Sequence, residues 1–149
     1  MTDPIEIRFG TNDETFLSLQ IVGRAVPGSD DYWDGNSLVA HAEVKVEGLS
    51  GKLTGVLRSE EILRFGEQLQ HGYETLSGEV TFTTMEGWIE FVVRFLRAGS
   101  VVVEGVVTPD LALRSRLQFD LGLDQSYLPA VLAQIRQVVK RFPVVGRAR

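Results

Sequence analysis

Between Leu38 and Glu47 the chain alternates: Leu38, Ala40, Ala42, Val44 and Val46 are apolar, while His41, Glu43, Lys45 and Glu47 stand between them. Successive side chains of a strand leave on opposite faces, so this segment offers one face to a core and one to water. One-sided burial is the mark of an antiparallel sheet, because parallel strands are covered on both faces and read as continuous apolar runs. The pattern recurs. Ile89, Phe91, Val93 and Phe95 oppose Glu90 and Arg94; Leu113, Leu117, Phe119 and Leu121 oppose Arg114, Arg116, Gln118 and Asp120. Further strands are expected at 5–9, 16–25, 51–58, 79–84 and 100–107, with Gly or Asp in the turns between them.

Two segments change period. From Ser59, the apolar residues Ile62, Phe65, Leu69, Tyr73 and Leu76 advance by three or four, which predicts an amphipathic helix closed by Gly78. Ser59 is the expected N-cap, and Glu60 and Glu61 suit the positive end of the helix dipole. A second helix is predicted over 125–142, with Leu128, Val131, Leu132, Ile135, Val138, Val139 and Phe142 on one stripe. Asp124 is its expected N-cap, Pro129 falls in or near the first turn, and Pro143 ends it. The predicted fold class is α+β, in the order ββββα-ββββα: an antiparallel sheet of about eight strands covered by two helices. One domain spans 1–149, with halves 1–77 and 78–149 that share an element order but no convincing sequence repeat.

Composition narrows the functions open to such a chain. A length of 149 residues, 44% hydrophobic and 23% charged, suits a single globular domain with a real core. Cys is absent, which removes disulfides, thiolate metal sites and Cys nucleophiles. A net charge of −5 argues against nucleic acid, whose binding rests on phosphate neutralisation by Lys and Arg. The one basic cluster is Lys140, Arg141, Arg147 and Arg149, and its first two members sit where cations complement the end of a helix. Residues 1–20 hold no signal-peptide apolar core, and no run approaches the roughly 18 apolar residues of a membrane span. A cytoplasmic protein with no membrane partner is expected.

Catalytic signatures are missing. His41 lies on the polar face of its strand and His71 off the apolar stripe of its helix, so both read as solvated. The sequence has no G-x-S-x-G, G-x-G-x-x-G, H-E-x-x-H or phosphate-binding G-x-x-x-x-G-K. A non-enzymatic protein without cofactor or metal is expected. The alternative is a small-molecule-binding or carboxylate-based catalytic domain with a pocket between helices and sheet, using a pair such as Asp34 and Glu43.

The segment SDDYWDGN, residues 29–36, fits none of these periods. Set on a calcium loop, Tyr32 takes a position that needs a hard oxygen and His41 the place of the bidentate Glu, so that reading fails. Two readings stay open. The Gly-containing turns and rings could form a lid over one end of the core, or Asp30, Asp31, Tyr32, Trp33 and Asp34 could form a partner-binding surface, since Tyr and Trp dominate contact hot spots.

DYWDGN (31–36), GVLRSEEILRF (55–65) and DQSYLPAVLAQI (124–135) occur in an order that resembles the WapI-type immunity proteins, bacterial proteins encoded beside polymorphic or contact-dependent toxins. The likeness covers most of the chain. It implies a small cytoplasmic protein that binds a cognate toxin domain and occludes it, with no catalytic residues of its own. The acidic charge suits a basic toxin, because opposite fields speed encounter.

Overall fold

The computed structural model describes residues 3–10 and 12–148. Four strands open it: β1 (Ile5–Phe9), β2 (Phe16–Arg24), β3 (Ser37–Val46) and β4 (Leu49–Arg58). A short helix, α1 (Tyr32–Gly35), interrupts the connection from β2 to β3, and α2 (Ser59–Thr75) follows β4 without a break. Strands β5 (Glu79–Thr83), β6 (Ile89–Phe95), β7 (Ser100–Val107) and β8 (Leu117–Asp124) lead into α3 (Leu128–Arg141). The α+β class and its twofold ββββα order stand.

The single sheet of about eight strands does not. The strands form two four-stranded antiparallel meanders, β1-β2-β3-β4 and β5-β6-β7-β8. Each strand pairs with its sequence neighbour, and the chain leaves the first sheet through α2 before β5 begins. Alternation tells which face of a strand is buried but not which strand lies beside it.

One hydrophobic cluster runs through both sheets and both long helices. At its centre Phe9 of β1, Phe65 of α2 and Phe82 and Phe91 of the second sheet meet, with centroids 5.1–6.4 Å apart. Most of these pairs are edge-on, the arrangement that ring quadrupoles favour. Trp88, buried just before β6, adds a second tie: its Nε1 donates to the Val56 carbonyl at 2.8 Å. The indole lies flat on β4 at Gly55, where a Cβ would come within 2.2 Å of it. Along the edge of the first sheet, the Gln134 side chain of α3 accepts from the Arg8 N–H at 2.9 Å, satisfying an edge donor of β1.

Several element ends shift from expectation. The segment 113–116 is not strand: β8 begins at Leu117, opposite Val107, where β7 ends. Asp110 turns the backbone there, its carboxylate accepting from the Ala112 N–H and its carbonyl from Leu113. Leu113 is exposed. The cap of α2 is Arg58 rather than Ser59, so the residue at the third helical position is Glu61, whose carboxylate accepts from the Arg58 N–H at 2.7 Å. That helix stops at Thr75, and Leu76 takes a left-handed conformation outside the core. Asp124 does cap, but its bond to the Ser126 N–H starts a 3₁₀ turn over Gln125–Tyr127, after which α3 begins at Leu128. Lys140 and Arg141 occupy the last turn of α3, and Phe142 lies just beyond it.

Candidate functional site

Residues 29–36 fold into a clamped platform. Asp31 is extended, and its carboxylate accepts from the N–H groups of Trp33 and Asp34, both at 3.0 Å. An aspartate in that place satisfies orphan donors and starts the single turn of α1. Gly35 follows because nothing larger fits: a Cβ would lie 2.6 Å from the Ser29 carbonyl and 2.6 Å from Val145. Asn36 is fully buried, and its side chain makes three bonds of 2.9 Å. Its amide donates to the carbonyls of Tyr32 and Val145, and its oxygen accepts from the Val145 N–H. The chain after α3 is thereby stitched to the loop 109 residues earlier. Arg24, at the bulged end of β2, adds a bond to the Pro143 carbonyl at 2.7 Å.

Arg58 supports the platform from below. Its side chain is buried, and its guanidinium donates to the carbonyls of Trp33 and Tyr32, both at 2.7 Å, and to the Glu60 carboxylate. Its centre also lies 5.2 Å from the Tyr32 ring and 5.3 Å from the Trp33 ring, within cation–π range. The two rings pack edge to face at 5.0 Å. Tyr32 is half-buried, whereas Trp33 is 49% exposed on a backbone held from several sides. Asp30, Asp31 and Asp34 are exposed, and none of them forms a salt bridge among the described residues.

The five residues singled out in the sequence thus lie together but do different work. Asp31 shapes the loop, Tyr32 anchors it to Arg58, and Asp30, Trp33 and Asp34 face outward. Arg58, Asn36, Arg24 and Val145 were not legible as parts of this place. Arg58 had a signal, an Arg at a strand–helix junction with acids two and three residues later, which marks a cation with local partners. Asn36 and Val145 had none, because their pairing joins distant segments.

Beside the platform, Glu61 accepts from the Arg58 N–H and, at 2.6 Å, from the Met85 N–H. Burial raises its pKa above the ordinary carboxylate value, and these two bonds oppose the shift. The structure does not bring the carboxylates Asp34 and Glu43 together. Glu43 lies on the water-facing side of β3, 3.7 Å from Lys52. Asp34 precedes that strand, and at ~3.3 Å per residue Glu43 is about 20 Å beyond Ser37. Both histidines are exposed, and His41 meets Thr54 at 2.8 Å. Among the described residues no group of three His, Cys, Asp or Glu could hold a metal ion, and no helix is long and apolar enough to cross a membrane.

A model of the WapI-like immunity protein family matches residues 8–143, nearly the whole chain, including the platform, Arg58 and both long helices. The chain belongs to the WapI-like immunity protein family. The DYWDGN segment of this WapI-like chain is therefore also the turn that Asp31, Gly35 and Asn36 close. No curated protein matched the sequence. Among solved structures, the Trypanosoma bruciei MRP1/MRP2 crystal structure is similar over 93% of this chain and 84% of that one. The identity there is 11% and the TM-score 0.48.

Proposed function

We propose that this WapI-like protein binds a cognate toxin domain in the cytoplasm and blocks it by occlusion, with the platform at residues 30–34 as part of the contact. The observation that carries the reading is Trp33: a large ring half open to water on a backbone that Arg58 and Asp31 hold in place. Such a ring supplies contact area at little entropic cost, because only two side-chain torsions remain to be fixed. Asp30 and Asp34 set a negative field around it and favour a partner that presents Lys or Arg. No bond-making step is assigned, since occlusion requires none.

The test is Trp33→Ala measured against a purified toxin domain that the wild-type chain binds, sought first among the genes neighbouring its own. Affinity should weaken by at least about 2 kcal/mol, as at other aromatic hot spots. The melting midpoint should fall only modestly, because the backbone bonds of the platform do not involve the ring and only its contacts with Arg58 and Tyr32 are lost. Lost stability with unchanged affinity per folded molecule would show that Trp33 is only a lid.

A further inference from the structure

The two long helices pack against each other, α2 beside β5 of the second sheet and α3 beside β1 of the first. Gly66 lets them close in: a Cβ there would come within 2.6 Å of the Ile135 side chain. Between the helices runs an open groove of about 460 Å³. Its surface is almost wholly apolar, with Leu63 on the α2 wall and Leu132, Ile135 and Val139 on the α3 wall. Leu63 and Val139 are half-buried, so they are the parts of that surface still open to water.

The charges of the groove are sorted by wall. Glu67 lies on the α2 side, Arg136 and Lys140 on the α3 side. All three are exposed, and none forms a salt bridge among the described residues. Arg64 and His71 sit one residue on from Leu63 and Gln70 and do not line the groove. Gly66 and Ile135 meet, and the next residue on each helix is Glu67 and Arg136. One residue is a rise of only ~1.5 Å, so these two stand about level on opposite walls.

An apolar seam with acid along one side and base along the other is self-complementary in one orientation. A second copy turned by 180° about the line of the groove, and laid face to face, sets its Glu67 over Arg136 and Lys140. Its own Arg136 and Lys140 then cover the first copy's Glu67. A two-fold axis across the groove would instead set like charge on like. Isologous interfaces are built from such reciprocal contacts, and charges flanking an apolar seam select the orientation in which helices pair.

We infer that this protein self-associates through the face of α2 and α3, a second copy of the chain covering the groove with each α2 on the other's α3. Leu63 and Val139 are then covered from both sides. The helices are roughly 20–25 Å long, so the footprint falls at the small end of stable interfaces. The dimer should therefore form in the micromolar range rather than be permanent. The face shares no residue with the platform at 30–34, so this inference and the toxin reading stand or fall separately.

Sedimentation equilibrium of the full chain, from about 1 μM to about 1 mM at physiological salt, should show a monomer–dimer equilibrium. Glu67→Lys sets a cation against Arg136, and Arg136→Glu sets an acid against Glu67. Symmetry counts each reversed pair twice, so either variant alone should weaken self-association by about tenfold. Both change exposed side chains, and their melting midpoints should stay near the parent's. Mixed in equal amounts, the two variants should pair with each other, since the mixed dimer has opposite charges at both contacts. A parent that stays monomeric throughout overturns the inference and leaves the groove to another occupant. Self-association that ignores both reversals overturns it too, as does a mixture that pairs no better than either variant alone.

Discussion

Taking away the Arg58 guanidinium leaves the Tyr32 carbonyl with only the Asn36 amide and the Trp33 carbonyl with only a 3.5 Å bond from the Ser37 hydroxyl, and it leaves the Glu60 carboxylate, its side chain only 15% exposed, without its cation. Losing one partner of a buried ion pair typically costs about 3–5 kcal/mol, far more than the net worth of the pair. Arg58→Ala should therefore lower the urea midpoint sharply and also free the platform, whereas Trp33→Ala should spare the fold. The two variants separate a support from a contact. Glu61 makes a pH prediction at the same scale. Because burial raises its folded-state pKa, the folded chain holds this proton more tightly than the unfolded chain does. Its contribution to stability is full below the ordinary Glu value and falls as pH rises through the folded value. Urea midpoints of the parent and of Glu61→Gln, compared from about pH 4 upward, should show the parent losing ground over that window and then levelling off.

At the scale of elements, the helix stripes were legible because their period repeats over many residues. Phe65 and Leu132, mid-stripe in α2 and α3, are both buried. Replacing either with Ala should cost about 2–5 kcal/mol, measurable by urea or thermal unfolding. The strand faces were legible for the same reason, but their grouping into two sheets was not, since pairing is set by contacts distant in sequence. Residues 113–116 show the other limit. Leu113 continues the alternation of Leu117, Phe119 and Leu121, yet β7 has ended, and Asp110 has turned the backbone away. The platform was visible as an oddity in the sequence, but the tail that completes it was not. Deleting residues 143–149 would remove the Val145 partners of Asn36 and the carbonyl held by Arg24. Amide exchange in 31–36 should then quicken while the strands of the second sheet keep their protection.

For the whole molecule, the question is whether its charge acts as a total or as a pattern. The net charge is −5, and changing Asp30, Asp31 and Asp34 to Asn together would bring it to −2, from −5 + 3. Asn caps a helix about as well as Asp, so α1 should survive the change. A matched control neutralises Glu90, Glu104 and Asp120, exposed acids of the second sheet, and produces the same total. Exposed charges more than about 8 Å apart are largely screened at physiological ionic strength, so position should outweigh the sum. The loop triple should slow association with the toxin domain and flatten its salt dependence, with a smaller effect on dissociation. The sheet triple should change the association rate much less. Equal slowing by both sets, followed by stopped-flow kinetics over a range of salt, would mean that only the overall field matters, and the acids around Trp33 would lose their claim to face the partner.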